Sequence, residues 1–167
     1  MYEAKNKEFS RILLPIDGSE SSMKAADYAI AMARKKGENN NAELIALHVI
    51  HSEIKHVYST YYGGSVNQIS IEGIIEDAKR QAQAWFDKVQ EEAKENNVKL
   101  RREIIVNSRS IVGAVVDYAE HEGVDLIVIG SRGLSGFKKL LLGSTAGLVT
   151  YAIFSGCSTC SISSNCT

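Results

Sequence analysis

Four short segments set the terms of the fold: Arg11 to Asp17 (RILLPID), Glu43 to Ile50 (ELIALHVI), Leu100 to Val106 (LRREIIV) and Val124 to Ile129 (VDLIVI). Short apolar runs rich in Leu, Ile and Val read as strands, and the nearly continuous ones as strands buried on both faces. Between them the period changes from two to 3.6. Met23, Ala26, Ile30 and Ala33 recur at spacings of three and four behind a turn at Asp17, Gly18 and Ser19, so a helix opens at Ser19 or Glu20 and Lys35 to Asn41 (KKGENNN) ends it. The stripe from Ile71 through Ala78, Ala82, Phe86 and Val89 to Ala93 is the clearest helix, and it assigns Trp85 and Phe86 to core packing. A third helix carries Val112, Val115, Val116 and Ala119, capped by Ser108 or Ser110 and stopped by Gly123.

Strands alternating with helices, with no Asn-Gly hairpin signal between apolar runs, predict βαβ units and a mainly parallel sheet. Right-handed crossovers then favour an α/β, three-layer, doubly wound (Rossmann-like) domain of about five strands. The last of these is a weak strand from Thr159 to Ser163, where only Ile162 is strongly apolar. The 167 residues are expected to form one domain, 1–167, with 1–10 frayed and a long loop at 51–70 that contains Tyr58, Tyr61 and Tyr62.

Ligands of such sheets lie beyond the strand C-termini, where the order of strands reverses. Asp17, Val49 and Gly130 all belong to strand C-termini and could share one site. The stretch Gly130 to Thr145 (GSRGLSGFKKLLLGST) adds a glycine-punctuated loop after the fourth strand, and Gly143, Ser144 and Thr145 open the next helix. Unpaired N–H groups at a helix start favour an anion, so the stretch is expected to cradle phosphate. It is neither a Walker A motif nor G-x-G-x-x-G.

Charge and cysteine content narrow the class. A net charge of −1 gives no global attraction to nucleic acid or to a membrane. After Asp125 there is no acidic residue, while Arg132, Lys138 and Lys139 are positive. Cys157, Cys160 and Cys166 are an odd number near the C-terminus, which fits a reduced protein better than a disulfide scaffold. The C-x-x-C at Cys157 and Cys160 follows a helix instead of opening one, against a redox role. The polar start MYEAKNKEFS and the lack of any run of about 18 apolar residues lead to the expectation of a cytoplasmic protein.

The spacing Gly130, two residues, Gly133, nine residues, Gly143, Ser144 resembles the G-x2-G-x9-G-S/T signature of the ATP-binding branch of the universal stress protein family. The likeness extends to Pro15 and Asp17, to Leu47-His48-Val49 and to Gly123-Val124-Asp125, over roughly residues 9 to 155. The resemblance implies that Pro15, Ile16 and Asp17 border the adenosine, with the Asp17 carboxylate towards ribose or a phosphate-bound cation. Val49 would offer its backbone to adenine. Ile129, Gly130, Arg132 and Gly133 would line ribose and phosphates, and Gly143, Ser144 and Thr145 would hold the phosphate tail. It implies ATP as ligand with Mg2+ or Mn2+, and a homodimer, although relatives finish with Cys-Pro and a strongly apolar strand where this chain has CSTCSISSNCT.

Each residue has a plainer reading. Asp17 can close a turn or cap a helix, Lys138 and Lys139 can be a solvated edge, and His48 and His51 would face opposite sides of an ideal strand, against a metal pair. Three functions remain in play. A nucleotide-dependent sensor or switch with slow or no ATP hydrolysis and no catalytic residues fits the scarcity of carboxylates near the cradle, since phosphoryl transfer needs one to hold magnesium or orient the nucleophile. An ATP-dependent enzyme would rely on Asp17 and Arg132 under a Tyr58 to Gly64 lid. A non-nucleotide protein-interaction module is the third, and the intact glycines argue against it.

Overall fold

In the computed structural model, residues 9–34, 42–51, 71–108, 110–130 and 158–162 are described. They form strands β1 (Arg11–Pro15), β2 (Glu43–His51), β3 (Leu100–Ser108), β4 (Leu126–Gly130) and β5 (Ser158–Ile162), with helices α1 (Glu20–Ala33), α2 (Ile71–Glu95) and α3 (Ile111–His121). The five strands make one sheet in the order β3-β2-β1-β4-β5, parallel at every pairing. The weak fifth strand is therefore present, paired with β4 from Leu126↔Ser158 to Gly130↔Ile162.

Alternate strand residues feed two cores. Ile12, Leu14, Leu44, Ala46, Leu126 and Val128 pack against α1 and α2, on residues such as Ala26, Ile30, Ala82 and Phe86. Leu13, Ile45, Leu47, Ile127 and Ile129 face the other way, onto Val115 and Ala119 of α3. This is the doubly wound arrangement. The chain steps from β1 to β2 to β3 with helices on one face, then returns past β1 to β4 with α3 on the other, as a fixed crossover hand requires when the direction of travel reverses. Phe86 is fully buried, and Trp85 packs half-buried at the margin of the same core.

Local chemistry sets the boundaries. Ser19 caps α1, its Oγ accepting from Ser22 N at 3.1 Å, while the buried Ser22 hydroxyl donates to Ser19 O at 2.9 Å. Ser110 caps α3 through Gly113 N at 3.2 Å, and Gly123 at φ +61° turns the chain out of it. Asp125 Oδ2 accepts from the backbone N–H of Ser10 at 2.7 Å and of Arg11 at 2.8 Å, which ties the start of β4 to the start of β1. At the same end Arg101 reaches Glu122 at 2.5 Å and the Tyr118 hydroxyl at 2.9 Å. No helix among the described residues is long and apolar enough to cross a membrane.

Where α1 meets α2, burial first, and then the charge and hydrogen bond of Asp27, hold the Glu92 carboxyl above its usual range, with Glu95 adding to the effect. Lys24 on α1 also faces Asp27. The folded state thus keeps a proton on Glu92 at pH values where the unfolded chain has released it, and stability falls as pH rises through that window. Glu92→Gln is expected to raise the melting temperature at pH 7.5, by no more than the ~2–4 °C that 1 kcal/mol produces in a chain of this size. Thermal unfolding followed down to pH 4 should show the gain shrinking. A gain that grows with acidity would contradict the assignment.

Candidate functional site

The order of strands reverses between β1 and β4, because β2 and β3 lie on one side of β1 and β4 and β5 on the other. Register decides what meets there. Pro15 pairs with Leu47, so continuing the offset sets Asp17 level with Val49. Ile12 pairs with Leu126 and Leu13 with Ile127, which carries Ile16 level with Gly130. Pro15, Ile16, Asp17, Val49, Ile129 and Gly130 therefore come together along one edge of the sheet, the edge where ligands of doubly wound sheets sit. Arg132, Gly133, Gly143, Ser144 and Thr145 lie outside the described residues, as do Lys138, Lys139 and the loop at 52–70.

Pro15 costs the sheet little, because the ladder takes its next bond one residue later, Ile16 N donating to Leu47 O at 2.8 Å. Beyond it the chain turns at once into α1. Asp17 Oδ1 accepts from Ser19 N at 3.0 Å, Gly18 takes φ +77°, and Ser19 begins the cap. The plainer reading of Asp17, closing a turn, is thus realised in this contact. The same turn carries the carboxylate and the positive end of the α1 dipole to the sheet edge together.

Two glycines are fixed by close neighbours. A Cβ on Gly130 would lie 2.7 Å from the carbonyl carbon of Ser21 and 2.8 Å from its oxygen, so the end of β4 rests on the first turn of α1. Glycine there lets strand and helix backbones touch; its described neighbours belong to the protein itself. A Cβ on Gly18 would lie 2.2 Å from Cε2 and 2.7 Å from Nε1 of Trp85, so the indole covers the turn.

His48 completes the support. Its Nδ1 is 2.7 Å from Ile16 O, and since a carbonyl only accepts, Nδ1 carries the proton. Its ring meets Trp85 edge-on, centroids 5.2 Å apart at 76°. His48, Trp85 and Ser21 were not legible as site residues. A stripe at helical spacing marked Trp85 as core, and neither Gly18 nor Gly130 announces which distant side chain or backbone presses on it.

Among the described residues this edge offers an apolar margin from Ile16, Val49 and Ile129, a carboxylate at Asp17 and a helix N-terminus. Asp125 does not join it. It sits before the other end of β4, five strand residues and about 16 Å away, where its carboxylate is bonded to Ser10 and Arg11. No group of three or more metal-ligating side chains occurs among the described residues. The arrangement suits binding of a ligand with an apolar face and an anionic tail.

Comparison with known proteins agrees with the architecture. The sequence model of the universal stress protein family matches residues 8–149. Universal stress protein YxiE of Bacillus subtilis is 32% identical over 142 residues, covering 85% of this chain and 92% of that protein. The solved structure of MJ0577, a universal stress protein of Methanocaldococcus jannaschii, superposes with a TM-score of 0.71 at 26% identity, over 95% of this chain and 99% of that one. A family protein of Arabidopsis thaliana, solved with AMP bound, shares the fold at a TM-score of 0.61 and 13% identity, over 93% of this chain and 92% of that one. The chain belongs to the universal stress protein family, and its glycine spacing is that of the family's ATP-binding branch.

Proposed function

We propose that this protein is a one-domain, cytoplasmic regulator that binds ATP at the β1–β4 edge and works as a nucleotide-dependent sensor or switch in a stress response. The observation that carries the reading is the register of β1, which sets Pro15, Ile16, Asp17, Val49, Ile129 and Gly130 along one edge of the sheet. Support comes from the Gly130, Gly133, Gly143, Ser144 spacing and from AMP bound by the Arabidopsis relative of the same fold. Adenine and ribose rest on the apolar margin, with Val49 offering backbone groups. Arg132, Gly133, Gly143, Ser144 and Thr145 take the phosphates. Mg2+ or Mn2+ accompanies the nucleotide, held chiefly by phosphate oxygens, with Asp17 the residue suited to add a hard oxygen ligand.

The positions of the carboxylates favour slow or absent hydrolysis. No acidic residue follows Asp125, Asp125 is occupied at the far end of β4, and Asp17 accepts the Ser19 N–H. That leaves Asp17 as the carboxylate of this set at the edge, where its suited role is to hold the metal rather than to orient a nucleophilic water. The protein acts as a homodimer, with β5 at the sheet edge as the element suited to pairing, and passes its state to a protein partner.

ATP with magnesium at about 100 times its dissociation constant should stabilise the fold by about 2.7 kcal/mol, raising the melting temperature by roughly 5–10 °C. No shift would revive the non-nucleotide interaction module. Turnover near the enzyme median of about 10 per second would instead make it an ATP-dependent enzyme. The two glycine variants should separate. Gly143→Val is expected to abolish binding in calorimetry while the unliganded melting temperature stays close to wild type. Gly130→Val is expected to lower that temperature as well, because its side chain meets the Ser21 backbone. A fully stable Gly130→Val chain would contradict the packing role.

A further inference from the structure

The turn that carries Asp17 is gripped from beneath by two side chains of other elements. Ile16, the residue before Asp17, has both backbone groups tied to β2: its N–H donates to Leu47 O at 2.8 Å, and its carbonyl accepts from His48 Nδ1 at 2.7 Å. Gly18, the residue after, lies so close under the Trp85 indole that even a methyl group would overlap it. The indole and the imidazole meet edge to face at 5.2 Å, so the two grips brace each other. Asp17 is thus suspended between two fixed residues.

We infer that His48 and Trp85 are positioning residues for the nucleotide, holding the Ile16–Gly18 backbone so that Asp17 and the start of α1 are preorganised at the β1–β4 edge; this rests on the nucleotide-binding reading. Turn backbone left to itself samples several conformations, and a ligand that must select one of them binds more weakly by the fraction populated. His48 removes that freedom with a hydrogen bond to a main-chain carbonyl, and Trp85 removes it by filling the space into which the turn would relax. Gly18 belongs to the same device. Its φ of +77° is the left-handed conformation that glycine adopts cheaply, and its missing side chain makes room for the indole. Trp85 is also the chain's single tryptophan, so the device carries its own optical signal.

The test compares wild type with His48→Ala, His48→Asn, His48→Gln and Trp85→Phe by calorimetric titration with Mg-ATP and by thermal unfolding without ligand. His48→Ala should weaken ATP about tenfold, the effect of one hydrogen bond to a buried carbonyl. Asparagine, whose amide nitrogen can stand where Nδ1 stands, should recover affinity to within about threefold, and glutamine, one carbon longer, should not. ATP should also shift the tryptophan emission of the wild type. Should His48→Ala fail to fold, the difference between the asparagine and glutamine variants, together with the loss in Trp85→Phe, decides the matter. Unliganded stability that falls while affinity stays at the wild-type value would overturn the positioning role and leave the nucleotide site standing. Wild type that shows no heat of binding would overturn both.

Discussion

β1 pairs in parallel with a strand on each side, β2 to the left of the switch and β4 to the right, and the site is a consequence of that pairing. The chain travels outward from β1 through β2 to β3 and then returns past β1 to β4, so its direction of travel reverses at this pair. Because the crossover hand is fixed, α1 and α2 fall on one face and α3 on the other, which opens the C-terminal edge between β1 and β4 among the described residues. The same register that buries Leu13 against Ile45 and Ile127 brings Asp17 level with Val49, and Ile16 level with Gly130. Core packing and site assembly are therefore one constraint: a slip of one residue in β1 would turn Leu13 to the wrong face and move Asp17 off the edge.

Much of this could be read from residue order. The three described helices follow their apolar stripes closely, α1 opens behind the Ser19 cap, and Gly123 ends α3. Even the sparsely apolar segment near Cys160 forms a strand, because β4 supplies a parallel edge and backbone pairing does not require an apolar sequence. What could not be read were contacts between elements distant in the chain. Gly130 looked like a residue that admits a ligand, and its closest described neighbour is Ser21. Trp85 looked like core, and its exposed margin covers Gly18. The spacing of His48 and His51 speaks only against a metal pair, whereas the His48 ring holds the carbonyl of Ile16. Periodicity reports which face a residue shares with its own element; it carries no information on which distant turn that face will touch.

Electrostatics distinguishes the two ends of the sheet. The end where strands begin is closed by polar contacts within the chain, Asp125 to Ser10 and Arg11 and Arg101 to Glu122 and Tyr118. Among the described residues, the end where strands finish carries the Asp17 turn carboxylate and the N-terminus of α1.

A nucleotide bound as proposed occupies the β1–β4 edge and touches both strand ends at once. Hydrogen–deuterium exchange with and without Mg-ATP tests it most directly, because it reports which backbone amides the ligand covers. Slowed exchange is expected together in three segments, residues 16–22, residues 129–133 and residues 143–145, with little change across the paired start of β1 and β4. Protection confined to another surface, or protection at the glycine stretch with none at residues 16–22, would contradict it.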